Sequence, residues 1–356
     1  MLTILAGLLV LGIVISFHEA AHMIIAKWNG VHVPVYSIGF GPVLFSKKWG
    51  ETEYRISIIP FGGYVKLAGH GDDEDMRRGI PKNKLFSSKS AWRRFAIVAA
   101  GPVSNYLLSF FIITTLLFFI GRPQFSTKID KVYTNTPASK ADIMPGDKII
   151  KIDNVEIKNI MDIQAAINRK NGSEVWVDIL RINRIIRKKI KPEKKIEFDE
   201  VMKSSQTYWL IGIKLADPIY VDKYRPFFSM KWACLGIHRF NKLNISGIYK
   251  MIFDKRTKVK DNLAGPVTIM RMSGQVARQG VISLIGFVAL ISLAIGFMNF
   301  IPIPGLDGCY MAFYGIEIIF RKPLPIRVQN AIIKYGVMLL LMLATYVLYL
   351  DFLRLA

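Results

Sequence analysis

His18-Glu19-Ala20-Ala21-His22 lies inside an apolar run that extends from Met1 to Ala26. Two histidines four apart on a helix share one face, about one turn from each other. Two imidazoles so placed can bind one zinc ion. The glutamate between them can act as general base on a water activated by that ion. The setting adds to the motif. No charged side chain occurs from Met1 to Phe17, and the first one after the motif is Lys27. At ~1.5 Å per residue, 26 helical residues span ~39 Å, enough to cross a ~30 Å hydrocarbon core with tilt. Ionisable residues inside such a span are costly and mark function by default. A secretory signal peptide would carry a basic n-region, which Met1–Phe17 lacks.

Working outward, the 356 residues are 52% hydrophobic, with 48 Lys and Arg against 26 Asp and Glu, a net charge of +22. This composition describes a polytopic α-helical membrane protein. In such a protein the basic excess points to lipid headgroups rather than nucleic acid. Three further apolar runs approach the ~20 residues a span needs: about Phe95–Ile120, Val281–Phe300 and Ala331–Leu350. The link from Lys27 to Arg94 carries twelve Lys and Arg and six Asp and Glu, and the link after the third span holds Arg321, Lys322 and Arg327. The positive-inside rule puts both links in the cytoplasm, and both termini and Gly121–Gly280 outside. The histidines then lie nearer the cytoplasmic face. Cys234 and Cys309 fall on opposite sides, so no disulfide framework exists.

The first cytoplasmic link has strand character. Ser37-Ile38-Gly39-Phe40-Gly41-Pro42 leads into Tyr54–Pro60, which alternates with period two. Gly62-Gly63 then turns the chain before Tyr64–Leu67. A membrane-associated β-hairpin is the expectation. Tyr54, Ile56 and Ile58 are its expected substrate contacts, on an edge strand that can pair with an unwound peptide. A plain surface hairpin is the alternative. The acidic run Asp72–Asp75 reads as a solvated loop, His70 as a loop residue, and His32 as a weak rival ligand beyond Gly30. Gly101-Pro102-Val103-Ser104-Asn105, near the start of the second span, permits close helix approach, with Asn105 able to bond to a neighbouring helix.

Beyond the second span, 126–215 reads as a small α+β domain. It has short strands at Ile129–Val132, Lys148–Ile152 and Val175–Ile182, a helix opened by Thr136-Pro137, and a second helix near Asp162–Asn168. The run Pro145-Gly146-Asp147-Lys148-Ile149-Ile150-Lys151-Ile152-Asp153-Asn154 resembles a PDZ domain of the bacterial periplasmic type. That resemblance implies capture of an extended peptide by strand addition. Asp142 stands where glycine is usual and tolerates left-handed backbone. Residues 216–280 are expected to form amphipathic interfacial helices, rich in aromatic and basic side chains and including His238.

A catalytic zinc takes three protein ligands and keeps a position open. The third span ends Asn299-Phe300-Ile301-Pro302-Ile303-Pro304-Gly305-Leu306-Asp307-Gly308, where two prolines break the helix. Asp307 is expected on non-helical backbone, at the depth of the histidines. It is the only acid between Asp261 and Glu317. Glu317 and Cys309 are the rivals for this role.

Together these residues resemble the site-2 protease family of intramembrane zinc metalloproteases, most closely the branch of bacterial sigma-E regulator proteases. The resemblance rests on the His-Glu-Ala-Ala-His run, Gly39-Phe40-Gly41-Pro42, Pro60-Phe61-Gly62-Gly63-Tyr64-Val65, Gly101-Pro102 with Asn105, and Leu263-Ala264-Gly265-Pro266. Asn299 with Pro302 and Leu306-Asp307-Gly308 completes it. It implies zinc held by His18, His22 and Asp307, Glu19 as the catalytic base, and Asn299 bonding the substrate backbone. It further implies regulated intramembrane proteolysis of single-span proteins, such as anti-sigma factors or signal-peptide remnants, in the bacterial inner membrane. The domain order is then a membrane half (1–120), the PDZ domain (126–215), interfacial helices (216–280) and a second membrane half (281–356). Two departures stand out. The family's Leu-Asp-Gly-Gly-His run ends here as Cys309-Tyr310, and one PDZ domain is readable where two are frequent.

Overall fold

The structure, a computed structural model, describes residues 1–70, 79–199, 204–253 and 265–353. Asp72–Asp75, Leu263 and Ala264 lie outside the described residues. The chain forms two compact units, Met1–Leu116 with Met230–Ala356, and Leu117–Ser229. In chain order the first unit opens with α1 (Leu2–Trp28), β1 (Val35–Trp49), β2 (Thr52–Lys66) and α2 (Ala91–Ile120). The second holds β3 (Arg122–Gln124), β4 (Ile129–Val132), α3 (Pro137–Lys140), β5 (Lys148–Ile152), β6 (Val155–Glu156) and α4 (Ile160–Arg169). It continues with β7 (Val175–Arg181), β8 (Arg184–Ile190), β9 (Glu193–Asp199), β10 (Ser204–Leu210), β11 (Ile213–Leu215) and β12 (Ile219–Val221). After α5 (Pro226–Phe253) come α6 (Pro266–Arg278), α7 (Val281–Phe300), α8 (Asp307–Phe320) and α9 (Ile326–Leu353).

Four of these helices, α1, α2, α7 and α9, are long and apolar enough to cross a membrane, and they coincide with the four expected spans. α2 begins at Ala91 rather than Phe95. Trp92, Arg93 and Arg94 continue the helix past the apolar run, because a helix end outside lipid tolerates charge. α1 ends where Gly30 takes φ +67°, a left-handed geometry that costs glycine little. Gly30 N–H then bonds to Lys27 O, and Val31 N–H to Ala26 O.

The link between α7 and α8 corrects one expectation. Ile301–Leu306 is non-helical, but Asp307 is the first residue of α8. A carboxylate is favoured in a first turn, where backbone N–H groups lack helical partners. Gly308 fits there because a Cβ would overlap Ile301 O.

Residues 216–280 also depart from a purely interfacial strip. Ile219–Val221 pairs with Arg122–Gln124. Tyr106 of α2 donates to Asn241 of α5 at 2.9 Å. α6 packs on α1 through small residues, since a Cβ on Gly7 would come within 2.7 Å of Met270 and one on Gly274 within 2.5 Å of Thr3. The first turn of α6 is capped from α9: the Asp351 carboxylate accepts from Thr268 Oγ1 at 2.6 Å and from the N–H groups of Val267 and Thr268 at 3.1 and 3.2 Å.

β1 and β2 make a folded-over sheet whose turn is at Gly50-Glu51, with β2 continuous through Gly62-Gly63. Val35–Ile38 lies in register with Glu53–Ile56 on one side and with Lys66–Gly63 on the other. Val43–Trp49 pairs across Ser57–Thr52. Tyr54 and Ile56 therefore have neighbours on both sides and are not on an edge, as they were expected to be. Val43–Trp49 and Gly63–Val65 lie at the two margins of this sheet, each with one neighbouring strand among the described residues.

In the second unit, the order β6-β5-β7-β8 makes a four-stranded sheet, with smaller pairs β4–β11, β9–β10 and β3–β12. β7 alternates as its sequence dictates: Val175, Val177 and Ile179 are buried, while Trp176 is exposed. They pack with Ile149 and Ile152 of β5 and Ile163 and Ile167 of α4. Asp142 has φ +57°, as its place in the glycine position required. The Asp147 side chain is 1% exposed and receives Arg181 Nε at 2.8 Å, Arg181 Nη2 at 2.9 Å and Met144 N–H at 2.8 Å. Burial raises its pKa, but the guanidinium and the N–H outweigh this and hold the carboxyl below its ordinary value.

Asp147→Asn should destabilise the second unit by about 2–4 kcal/mol, since it removes the buried carboxylate that Arg181 pairs with and leaves only Asp142, 3.7 Å away. The sign with pH follows from the lowered pKa. The stabilisation is complete above the ordinary carboxylate value, ~4, and is lost as pH falls through the folded-state value. Hydrogen exchange of β5 and β7 in the full chain should show earlier opening in the variant, with less acid dependence than in wild type.

Candidate metal centre

α1 carries His18 and His22 on one face, and α8 brings Asp307 to them from almost three hundred residues away. His18 Nε2 is 3.0 Å from Asp307 Oδ2, His22 Nε2 is 3.3 Å from the same oxygen, and the two Nε2 atoms are 3.2 Å apart. These three residues are the group able to share a metal ion among the described residues. Ligand atoms ~2.0–2.1 Å from one tetrahedral ion stand ~3.3 Å apart, so the triangle has the size zinc requires. Asp307 Oδ2 is buried and makes no hydrogen bond of acceptable geometry, which suits an oxygen aimed at a cation. Two neutral imidazoles and one carboxylate form the donor set of a catalytic rather than a structural zinc site. The residues fit the ion.

α2 forms the back of the centre. His22 Nδ1 is 2.8 Å from Ile97 O, and a carbonyl can only accept, so Nδ1 carries the proton and Nε2 keeps its lone pair. Pro102 lies inside α2. It has no N–H to return to Val98, which loosens this turn of the helix. Gly101 makes the close approach possible: a Cβ there would overlap His22 Nε2 and lie 2.7 Å from His18 Nε2. The sequence marked Gly101 for close approach but could not say what approached it.

A cavity of about 710 Å³ opens in front of the ligands. Glu19, Asn299 and Asp307 line it, with the apolar wall drawn from α1, α6 and α7 and with Gly62 and Gly63 of β2 on another side. Glu19 lies against the sheet, since a Cβ on Gly63 would come within 3.0 Å of Glu19 Cγ. The glycine pair keeps this passage beside the carboxylate clear. Tyr54, Ile56 and Ile58 do not line the cavity; Ile56 and Ile58 are 50% and 53% exposed elsewhere on the sheet.

The rival ligands have other employment. Glu317 pairs with Arg94 at 2.6 Å. Cys309 is a buried free thiol outside the ligand group, and Cys234 is free and exposed. His32 meets Glu51 at 2.8 Å. His238 is exposed on α5. His70 packs edge-on to Phe86 and tilted against Tyr310, with ring centroids at 4.7 and 5.0 Å, and burial pushes its pKa down to about 4. It is a neutral packing residue rather than a ligand.

Comparison with known proteins agrees with this centre. Residues 6–343 match the model of peptidase family M50. A Clostridium perfringens protein named as a zinc metalloprotease is 32% identical, with 95% of each chain covered. One from Mesorhizobium japonicum is 29% identical, with 98% of each covered. One from Staphylococcus aureus is 27% identical, with 99% of each covered.

Gly101→Val should abolish metal binding, because the new side chain occupies the space of the two imidazoles. Zinc content after dialysis should fall below about a tenth of the wild-type value, as expected when ligand geometry is lost. Full zinc occupancy in a folded Gly101→Val protein would contradict the packing of α2 against the ligands.

Proposed function

This chain belongs to peptidase family M50 and is a zinc metallopeptidase of the site-2 protease type, and from that premise we propose that it cuts peptide bonds in or near the transmembrane segments of other membrane proteins. The observation that carries this reading is the placement of Glu19. A carboxylate one residue from a metal ligand, inside an apolar helix and lining a cavity, is placed to take a proton from a water there. A structural zinc site in a scaffold protein would not need it.

His18, His22 and Asp307 would hold a zinc ion, which would supply Lewis acidity at this end of the cavity. Glu19 takes the proton of the attacking water and returns it to the leaving amide nitrogen, a role that side-chain acids and bases fill with ~10²–10⁴-fold effect. Asn299, on the cavity wall, donates from its carboxamide to the substrate backbone. The apolar wall receives the substrate's side chains and keeps bulk water from the site.

A helical substrate must be unwound to be cut. Each backbone group exposed in hydrocarbon costs several kcal/mol unless it finds a partner. The partner is the sheet margin at Gly63–Val65, beside Glu19, rather than Tyr54–Ile56, which has a strand on both sides. Resemblance supports the remaining assignments. The substrates are single-span proteins such as anti-sigma factors or signal-peptide remnants, processed by regulated intramembrane proteolysis. The 126–215 region is a PDZ domain on the extracytoplasmic side that takes an extended peptide and restrains access. The protein sits in the bacterial inner membrane, among lipids, with its site nearer the cytoplasm.

Glu19→Gln should keep zinc and lower cleavage of a single-span substrate by about 10²–10⁴-fold. Turnover near the wild-type rate, measured in detergent with chelator controls, would overturn the assignment of the base.

Val65→Pro should slow cleavage of a helical substrate more than cleavage of one with Gly and Pro near the scissile bond, because it distorts the marginal strand and removes the N–H that Glu19 accepts in the free protein. Equal rates on both substrates, in variant and wild type alike, would remove the edge from the reaction.

A further inference from the structure

The two ligand histidines are held differently on their Nδ1 sides. His22 Nδ1 meets a backbone carbonyl, as described. His18 Nδ1 is 3.2 Å from the carboxamide nitrogen of Asn105. Asn105 is completely buried, and its Oδ1 has no hydrogen-bond partner. An amide N–H directed at Nδ1 demands a lone pair there and a proton on Nε2. That tautomer cannot bind a metal through Nε2, although Nε2 is the atom that points at His22 and Asp307. A half-turn of the carboxamide exchanges its oxygen and nitrogen without changing its shape. Oδ1 then accepts from His18 Nδ1–H, and Nε2 is free.

The backbone at this point is firmly held. Asn105 O accepts from Ser109 Oγ at 2.8 Å and from Ser292 Oγ at 3.0 Å. Gly296 lets α7 approach, since a Cβ there would come within 3.1 Å of Asn105 Cβ. The side chain is therefore delivered at a set height, beside one imidazole. As placed, the buried Oδ1 has no partner, and an unsatisfied buried polar atom costs about 1–3 kcal/mol. A packing position between apolar helices would be better filled by leucine. We propose that Asn105 is a positioning residue for the metal: its carboxamide oxygen holds the Nδ1–H tautomer of His18 and aims Nε2 at the ion. This rests on the zinc reading above.

The test measures zinc affinity by chelator competition, and the ring ¹⁵N signals of zinc-loaded, histidine-labelled protein. Asn105→Leu, similar in size but without an acceptor, should weaken zinc binding by about 10–100-fold. Asn105→Asp, which accepts in either orientation, should bind at least as tightly as wild type. It should also shift the His18 Nδ1 signal toward a stronger hydrogen bond, with His22 as the unshifted control. A folded Asn105→Leu protein with wild-type affinity overturns the proposal. So does an Asn105→Asp protein that loses tenfold or leaves the His18 signal unmoved, and this arm decides the matter if Asn105→Leu does not fold. Failure of wild type itself to bind zinc would instead overturn the metal reading.

Discussion

Three donor atoms within 3.3 Å of one another, from His18, His22 and Asp307, are the constraint to which the first unit is built. Such a cluster is unstable alone, because a carboxylate and two imidazoles taken from water into apolar helices lose far more solvation than they regain. A bound cation reverses the balance. Each neighbouring element then has a task. α1 sets the spacing of two ligands, the broken segment Ile301–Leu306 turns the chain so that α8 starts at the third, and α2 closes the back.

The residues of α2 that serve this closure are small or polar, which is unusual in an apolar helix. Gly101 provides room, Pro102 loosens the turn that carries Ile97 O, and Asn105 reaches the far side of His18. Helix association in a membrane gains little from hydrophobicity, so close contact and hydrogen bonds must supply it. Ser109 Oγ, 2.8 Å from both Asn105 O and Ala289 O and able to donate its one hydrogen to either, joins α2 to α7 in this way. Farther along α8, Arg94 pairs with Glu317 and stacks on Tyr314 at 4.8 Å. That clamp fixes the helix whose first residue is a ligand.

The second unit follows the physics of a soluble domain. Its core is a cluster of isoleucine and valine from β5, β7 and α4, and its buried charge, Asp147, is satisfied by a guanidinium and a backbone N–H. Its strands are short and twice or once paired, while the first unit buries its backbone polar groups in long helices. The two units thus answer two solvents.

Much of this was legible in one dimension. The spacing of His18, Glu19 and His22 and the length of four apolar runs are local properties, set by helical periodicity and by lipid thickness, and they determined the spans and the water-activating set. The prolines at 302 and 304 marked the break, and the lone acid after it marked the third ligand. Three things required the tertiary structure. Asp307 heads a helix because the chain resumes its helical course there after the break at Ile301–Leu306, which no local pattern specifies. Tyr54–Ile56 lies inside the sheet and Gly63–Val65 at one of its margins, because β1 folds back across β2, and an alternating pattern identifies a strand but not its neighbours. Asn105 and Gly101 lie against the two imidazoles because α2 packs behind α1, and contacts between helices far apart in the chain leave no periodic trace in the sequence.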